Sequence, residues 1–225
     1  MNKVEIKITH EILDNFNMSK YEDIFLRGDD QPTPGDEYPF WDMNRYHKYY
    51  RILAYLSTFY DNEILVDIGT RRGHSAASLA YNENNIVYTY NDRSDEVPEN
   101  DVFEKITNIK HFVLSEYHDA GPLGNILGVD EHKDILLKSS LIFMDVDPHN
   151  GEKESALFEF LASNDYKGLT IWDDTGSQLK GGFEKISSNI NNNQPHITAC
   201  HLNDYSWSDG GTGVICFGGQ EIVTE

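Results

Sequence analysis

The spacing of apolar residues changes several times along the chain, and each change marks an element. From Met43 to Tyr60 the residues Tyr46, Tyr49, Tyr50, Leu53, Leu56 and Tyr60 recur at steps of three and four, which lines one face of a helix. The period then shortens. Glu63 to Asp67 is an apolar run of strand length, followed by Gly69 and Gly73 and the small-residue helical stretch Ser75 to Ala80. Strand, glycine turn and helix follow in that order. Further strands are predicted at Ile86–Tyr90, Ile109–Val113, Ser140–Met144 and Gly168–Trp172, with a helix from Glu152 to Ala162. Strands separated by helical patterns imply βαβ units and a mostly parallel sheet covered on both faces. The end of the chain differs: Ile197–His201 and Gly213–Phe217 are joined by a short Gly/Ser/Asp-rich segment too short for a crossover helix, which predicts an antiparallel pair.

The opening of the chain carries a different signal. Residues 1–42 read as an amphipathic segment followed by a loop or lid, because Gly28, Pro32, Pro34, Gly35 and Pro39 crowd the stretch from Arg27 to Asp42. The chain is therefore divided into an N-terminal helical and lid segment, 1–60, and an α/β domain, 61–225.

Composition narrows the function classes. The 225 residues carry 38 acidic and 18 basic side chains, a net charge of −20. Such a field repels phosphate backbones and anionic lipid, both of which need clustered Lys and Arg, so neither nucleic acid nor membrane is expected as a partner. A mean hydropathy of −0.55 leaves no run near the ~20 apolar residues of a membrane span. The start, which alternates charged and apolar residues, lacks the apolar core of a secretory signal, so a cytoplasmic location is expected. Two cysteines, Cys200 and Cys216, make neither a disulfide framework nor a four-Cys zinc site, so any metal must come from carboxylates or histidines.

In an open α/β sheet the ligand lies beyond the carboxyl ends of the strands, so polar residues that directly follow strands are the candidates. Asp67, Gly69, Thr70, Gly73 and Ser75 surround the first turn, where Gly69 permits a sharp bend and Gly73 a close ligand approach. A dinucleotide fingerprint needs a glycine where Arg71 stands, which counts against pyrophosphate. Asn91 and Asp92 end the second strand, where ribose hydroxyls usually find a partner; equally, both residue types form turns. Asp145, Asp147 and His149 follow the fourth strand, and Asp173 and Asp174 the fifth. Carboxylates gathered in one crevice would need a cation, and oxygen ligation suits Mg²⁺, Mn²⁺ or Ca²⁺. Aspartates that cap helices and turn loops are the alternative.

Three stretches, Val66–Ala76, Leu141–Asp147 and Ile171–Thr175, together resemble the class I S-adenosylmethionine-dependent methyltransferases, and most closely the metal-dependent small-molecule O-methyltransferases of the catechol, caffeoyl-CoA and macrolide-sugar type. The similarity runs from about Glu63 to Phe217. It implies a Rossmann-like, seven-stranded, mostly parallel sheet with a C-terminal antiparallel strand pair and helices on both faces. It further implies an enzyme that methylates a small sugar, diol or phenol, with S-adenosylmethionine and Mg²⁺ or another hard divalent cation as cofactors. Carried over, Asp67, Gly69, Thr70, Gly73 and Ser75 surround the methionyl end of the cofactor. Asn91 stands where an acidic ribose ligand is usual, with Asp92 beside it. Asp145, Asp173 and Asp174 fall on the metal-ligand positions, so Asp145 is also counted as catalytic. Pro148 occupies the usual place of the base, and His149, one step further, is the candidate to take the hydroxyl proton. A catalytically silent binding protein or a nucleotide-dependent oxidoreductase on a similar sheet are the alternatives, and an amphipathic N-terminal helix would suit a homodimer contact.

Overall fold

The computed structural model describes residues 4–17, 19–21, 25–27, 37–39, 47–69, 73–91, 104–113, 126–146, 150–176, 180–193, 196–202, 211–218 and 220–224. The chain opens with strand β1 (Val4–Ile8) and the short helix α1 (His10–Asp14), whose Thr9 cap accepts the Ile12 N–H at 3.1 Å. A small pair, β2 (Phe25–Arg27) and β3 (Glu37–Pro39), precedes helix α2 (His47–Ser57). Then comes the alternation: β4 (Ile64–Ile68), α3 (His74–Leu79), β5 (Ile86–Asn91), β6 (Ile109–Val113), α4 (Asp130–Lys138), β7 (Leu141–Met144), α5 (Glu152–Ser163), β8 (Leu169–Asp173) and α6 (Lys180–Asn193). Strands β9 (Thr198–His201), β10 (Thr212–Cys216) and β11 (Gln220–Thr224) complete it.

Seven of these strands form one sheet in the order β6-β5-β4-β7-β8-β10-β9. Pairing is parallel from β6 to β8, and β10 runs antiparallel to both β8 and β9. This is the Rossmann-like sheet with a closing antiparallel pair that the sequence predicts. β7 is buried along its whole length, as a strand covered on both faces must be.

Side-chain alternation divides the core into two layers. Leu65, Val87, Leu141, Phe143, Leu169 and Ile171 face one way and pack with Leu53 and Leu56 of α2 and Ala76 and Leu79 of α3. Their neighbours Val66, Ile68, Ile142, Met144 and Trp172 face the other way, against Leu136 of α4, Leu157 and Leu161 of α5 and Phe183 of α6. Asp67, Thr89, Asn91, Asp145 and Asp173 share the parity of the first layer, which decides how they meet at the strand ends.

The N-terminal segment, read from its sequence as amphipathic and helical, opens with a strand, and residues 28–36 and 40–46, which hold most of the stretch read as a loop or lid, lie outside the described residues. β1 pairs in parallel with β11, Val4 opposite Gln220 through Ile8 opposite Thr224. Ile6 and Ile8 are fully buried in the α2 and α3 layer, so this strand is part of the core. Within the stretch read as a loop, Glu37–Pro39 pairs with Phe25–Arg27, with Pro39 at a strand end where a missing N–H is tolerated. Among the described residues no helix is long and apolar enough to cross a membrane.

Candidate functional site

Strand order reverses at β4, with β5 on one side and β7 on the other, so a crevice opens between their carboxyl ends. Backbone hydrogen bonds stitch the three ends together. The Gly69 N–H donates to Tyr90 O at 2.9 Å, and the Asp145 N–H donates to Ile68 O at 2.9 Å. Gly69 lies at φ +98°, and a Cβ built there would sit 1.6 Å from the Asp145 carbonyl oxygen. Glycine is therefore demanded here by the neighbouring strand end as well as by the backbone angle. Gly73, at φ +95°, is buried and opens α3, where its carbonyl accepts the Ala77 N–H at 2.9 Å.

Asp67 is completely buried, and its Oδ2 accepts the Thr89 hydroxyl at 2.6 Å. Its observed work is to tie β4 to β5 under the turn. Ser75 is buried as the second residue of α3, and Asn91, 2% exposed, is the last residue of β5. Thr70, Asp92, Asp147 and His149 lie outside the described residues.

The metal expectation finds no support among the described residues. Asp145, Asp173 and Asp174 are all described and half-buried, yet among the described residues no group of three His, Cys, Asp or Glu side chains lies where it could hold a cation. The register explains part of this. Asp145 and Asp173 each follow the paired Met144 and Trp172 by one residue and share a face. Asp174 comes one residue later, out of that alternation, in a left-handed conformation at φ +56°. Among the described residues these three carboxylates do not come together as one three-ligand group.

Sequence reasoning passed over several groups at the same end of the sheet. Tyr50 of α2 shares a hydrogen bond of 3.3 Å with Nδ1 of His74, the first residue of α3, and the rings meet edge to face. On the opposite face the Tyr90 hydroxyl lies 3.3 Å from His132 Nδ1, inside a stack with Phe112 and Tyr88. Burial, reinforced by Tyr88 and Glu131, pushes the Tyr90 hydroxyl well above the usual phenol range, so it stays neutral. Glu154, in the first turn of α5, is a buried carboxylate. Thr175, just past the two aspartates, is fully buried, and its hydroxyl has no hydrogen-bond partner among the described residues. No motif spacing flags these residues; a polar side chain at a strand end or helix start was the available signal.

No family model matches the sequence, and no curated protein matches it. Solved structures do share the fold. The O-methyltransferase TomG from Streptomyces achromogenes, involved in tomaymycin synthesis and in complex with SAM, superposes with a TM-score of 0.52 over 76% of this chain and 80% of its own, at 13% identity. The SAH-bound methyltransferase PaMTH1 from Podospora anserina gives a TM-score of 0.51 over 74% of this chain and 78% of its own, at 16% identity.

Proposed function

We propose that this chain is an S-adenosylmethionine-dependent O-methyltransferase acting on a small molecule. The observation that carries the reading is the meeting, at the reversal of strand order, of a glycine turn with Asn91 and Asp145. The likeness to structures that hold SAM or SAH supports the same placement of the cofactor.

The residues present suit that cofactor. Asn91 is a buried carboxamide at the end of β5 with one acceptor and two donor hydrogens, so it can meet a ribose hydroxyl as either partner. The Gly73–Ser75 backbone would hold the methionyl end, while Thr70 and Asp92 extend the two contacts. Asp67 would act from beneath: bonded to Thr89, it keeps the turn and the Asn91 strand in register. When bound, the cofactor supplies a methyl group on a sulfonium, already a good donor.

The protein then has to orient an acceptor oxygen and take its proton. Asp145, half-buried beside the turn, would orient an acceptor hydroxyl. His149, four residues on, is proposed as the base. The proton would leave the hydroxyl for the base as the oxygen–methyl bond forms and the sulfur–methyl bond breaks, with S-adenosylhomocysteine as the leaving group. Because Asp145, Asp173 and Asp174 do not assemble a cation site, no step is routed through a metal. The acidic surface favours a neutral or cationic acceptor such as a sugar, diol or phenol, in a cytoplasmic setting. Incubation with radiolabelled S-adenosylmethionine and a panel of such acceptors tests the reading: transfer to an oxygen is expected, and its absence with every acceptor in the panel counts against it.

A further inference from the structure

Helix α2 meets the glycine turn through two polar rings. Its contact with α3 is otherwise apolar, with Leu53 and Leu56 in the same cluster as Ala76, Ala77 and Leu79. At the end nearest the turn, Tyr50 lies edge-on to His74, with ring centroids 5.5 Å apart and an interplanar angle of 71°. The Tyr50 hydroxyl and His74 Nδ1 share a hydrogen bond of 3.3 Å. His74 is 7% exposed and directly follows Gly73 at φ +95°.

The two ends of the turn are therefore held differently. At Gly69 the backbone does the work, through the bond to Tyr90 O and the close approach to Asp145 O. At Gly73–Ser75 a side chain from outside the turn takes hold of His74. Apolar packing alone does not call for this pair, since phenylalanine at position 50 would fill the same space and a buried imidazole carries a desolvation cost. A hydrogen bond to one ring nitrogen fixes the orientation of a histidine ring.

We propose that Tyr50 is a positioning residue for the cofactor: by holding His74 it sets the Gly73–Ser75 backbone on which the methionyl end rests, and so links α2 to occupancy of the site. This rests on the S-adenosylmethionine reading above.

The test is a double-mutant cycle on S-adenosylhomocysteine affinity, measured by titration calorimetry on wild type, Tyr50→Phe, His74→Phe and the double variant, with a melting curve for each. Wild type binds. Tyr50→Phe loses about threefold to tenfold in affinity, the scale of one hydrogen bond, and melts about 2–4 °C below wild type. Because Tyr50 acts on the cofactor through His74, the double variant binds within about twofold of His74→Phe alone. If His74→Phe does not fold, His74→Gln takes its place in the cycle. A Tyr50→Phe affinity within about twofold of wild type overturns the proposal while leaving the cofactor reading intact. So does a double variant whose losses multiply, which would mark two independent packing effects. Wild type that does not bind overturns both.

Discussion

Replacing Gly69 with alanine puts a methyl group where the chain has no space for one. The new Cβ would lie 1.6 Å from the Asp145 carbonyl oxygen and 2.7 Å from its carbon, against a floor near 3.0 Å for real contacts. The obstacle is backbone, so no side-chain rotation relieves it. Either the turn or the start of the β7 exit must move, and each is pinned: Gly69 N–H to Tyr90 O and Asp145 N–H to Ile68 O. Losing both bonds costs about 1–3 kcal/mol, and alanine at φ +98° adds about 1 kcal/mol. A loss near 3 kcal/mol lowers the melting temperature by about 6–12 °C in a domain of this size. Scanning calorimetry or urea denaturation reads this directly. Gly128→Ala is the matched control, because its Cβ meets nothing within 4 Å; it should change stability by no more than about 1 kcal/mol. A Gly69→Ala protein that melts within about 2 °C of wild type, or alongside the Gly128→Ala control, would refute the packing of the turn against β7.

Three further outcomes follow from buried polar groups. Thr89→Val removes the donor to the fully buried Asp67 carboxylate and should cost about 1.5–3 kcal/mol in urea denaturation; an unchanged midpoint would mean that this bond does not form in solution. Thr175→Val keeps the methyl that packs beside Gly213 but deletes a buried hydroxyl with no partner among the described residues, so it should stabilise by about 1 kcal/mol; destabilisation would show that the hydroxyl is satisfied in solution. Burial holds the pKa of His111 below its usual 6.5, so the folded chain resists a proton that the unfolded chain accepts. Its contribution is complete above about pH 6.5 and is lost as pH falls through the lowered folded value. His111→Gln should therefore flatten the decline in unfolding free energy between about pH 7 and 5, and an unchanged slope would contradict the shift.

The central sheet was legible because strands buried on both faces read as unbroken apolar runs, as Leu141–Met144 does, and the glycines after β4 mark its turn. Long-range pairing was not. Val4, Ile6 and Ile8 alternate with charges as a strand should, but their partner β11 lies at the other end of the chain, and alternation does not name a partner. Helix α6 escaped because Gly181, Gly182 and its terminal asparagines are weak helix formers; Phe183, Ile186 and Ile190 hold it to the sheet. At the site, motif spacing located the strand ends correctly. It could not tell that Asp67 accepts a hydrogen bond from Thr89, nor that Asp174 breaks the alternation shared by Asp145 and Asp173. Tyr50 fitted the helical stripe as one more core aromatic, because its bond to His74 depends on how two helices pack.

The most direct test of cofactor binding is a melting curve of the full chain with S-adenosylmethionine, S-adenosylhomocysteine or NAD, each with Mg²⁺ and with EDTA. A ligand at 100 times its dissociation constant adds about 2.7 kcal/mol to the folded state, a rise of about 5–10 °C here. Both S-adenosyl compounds should produce it equally in Mg²⁺ and in EDTA, and NAD should not. A rise with NAD alone, or with none of the three, would contradict the account.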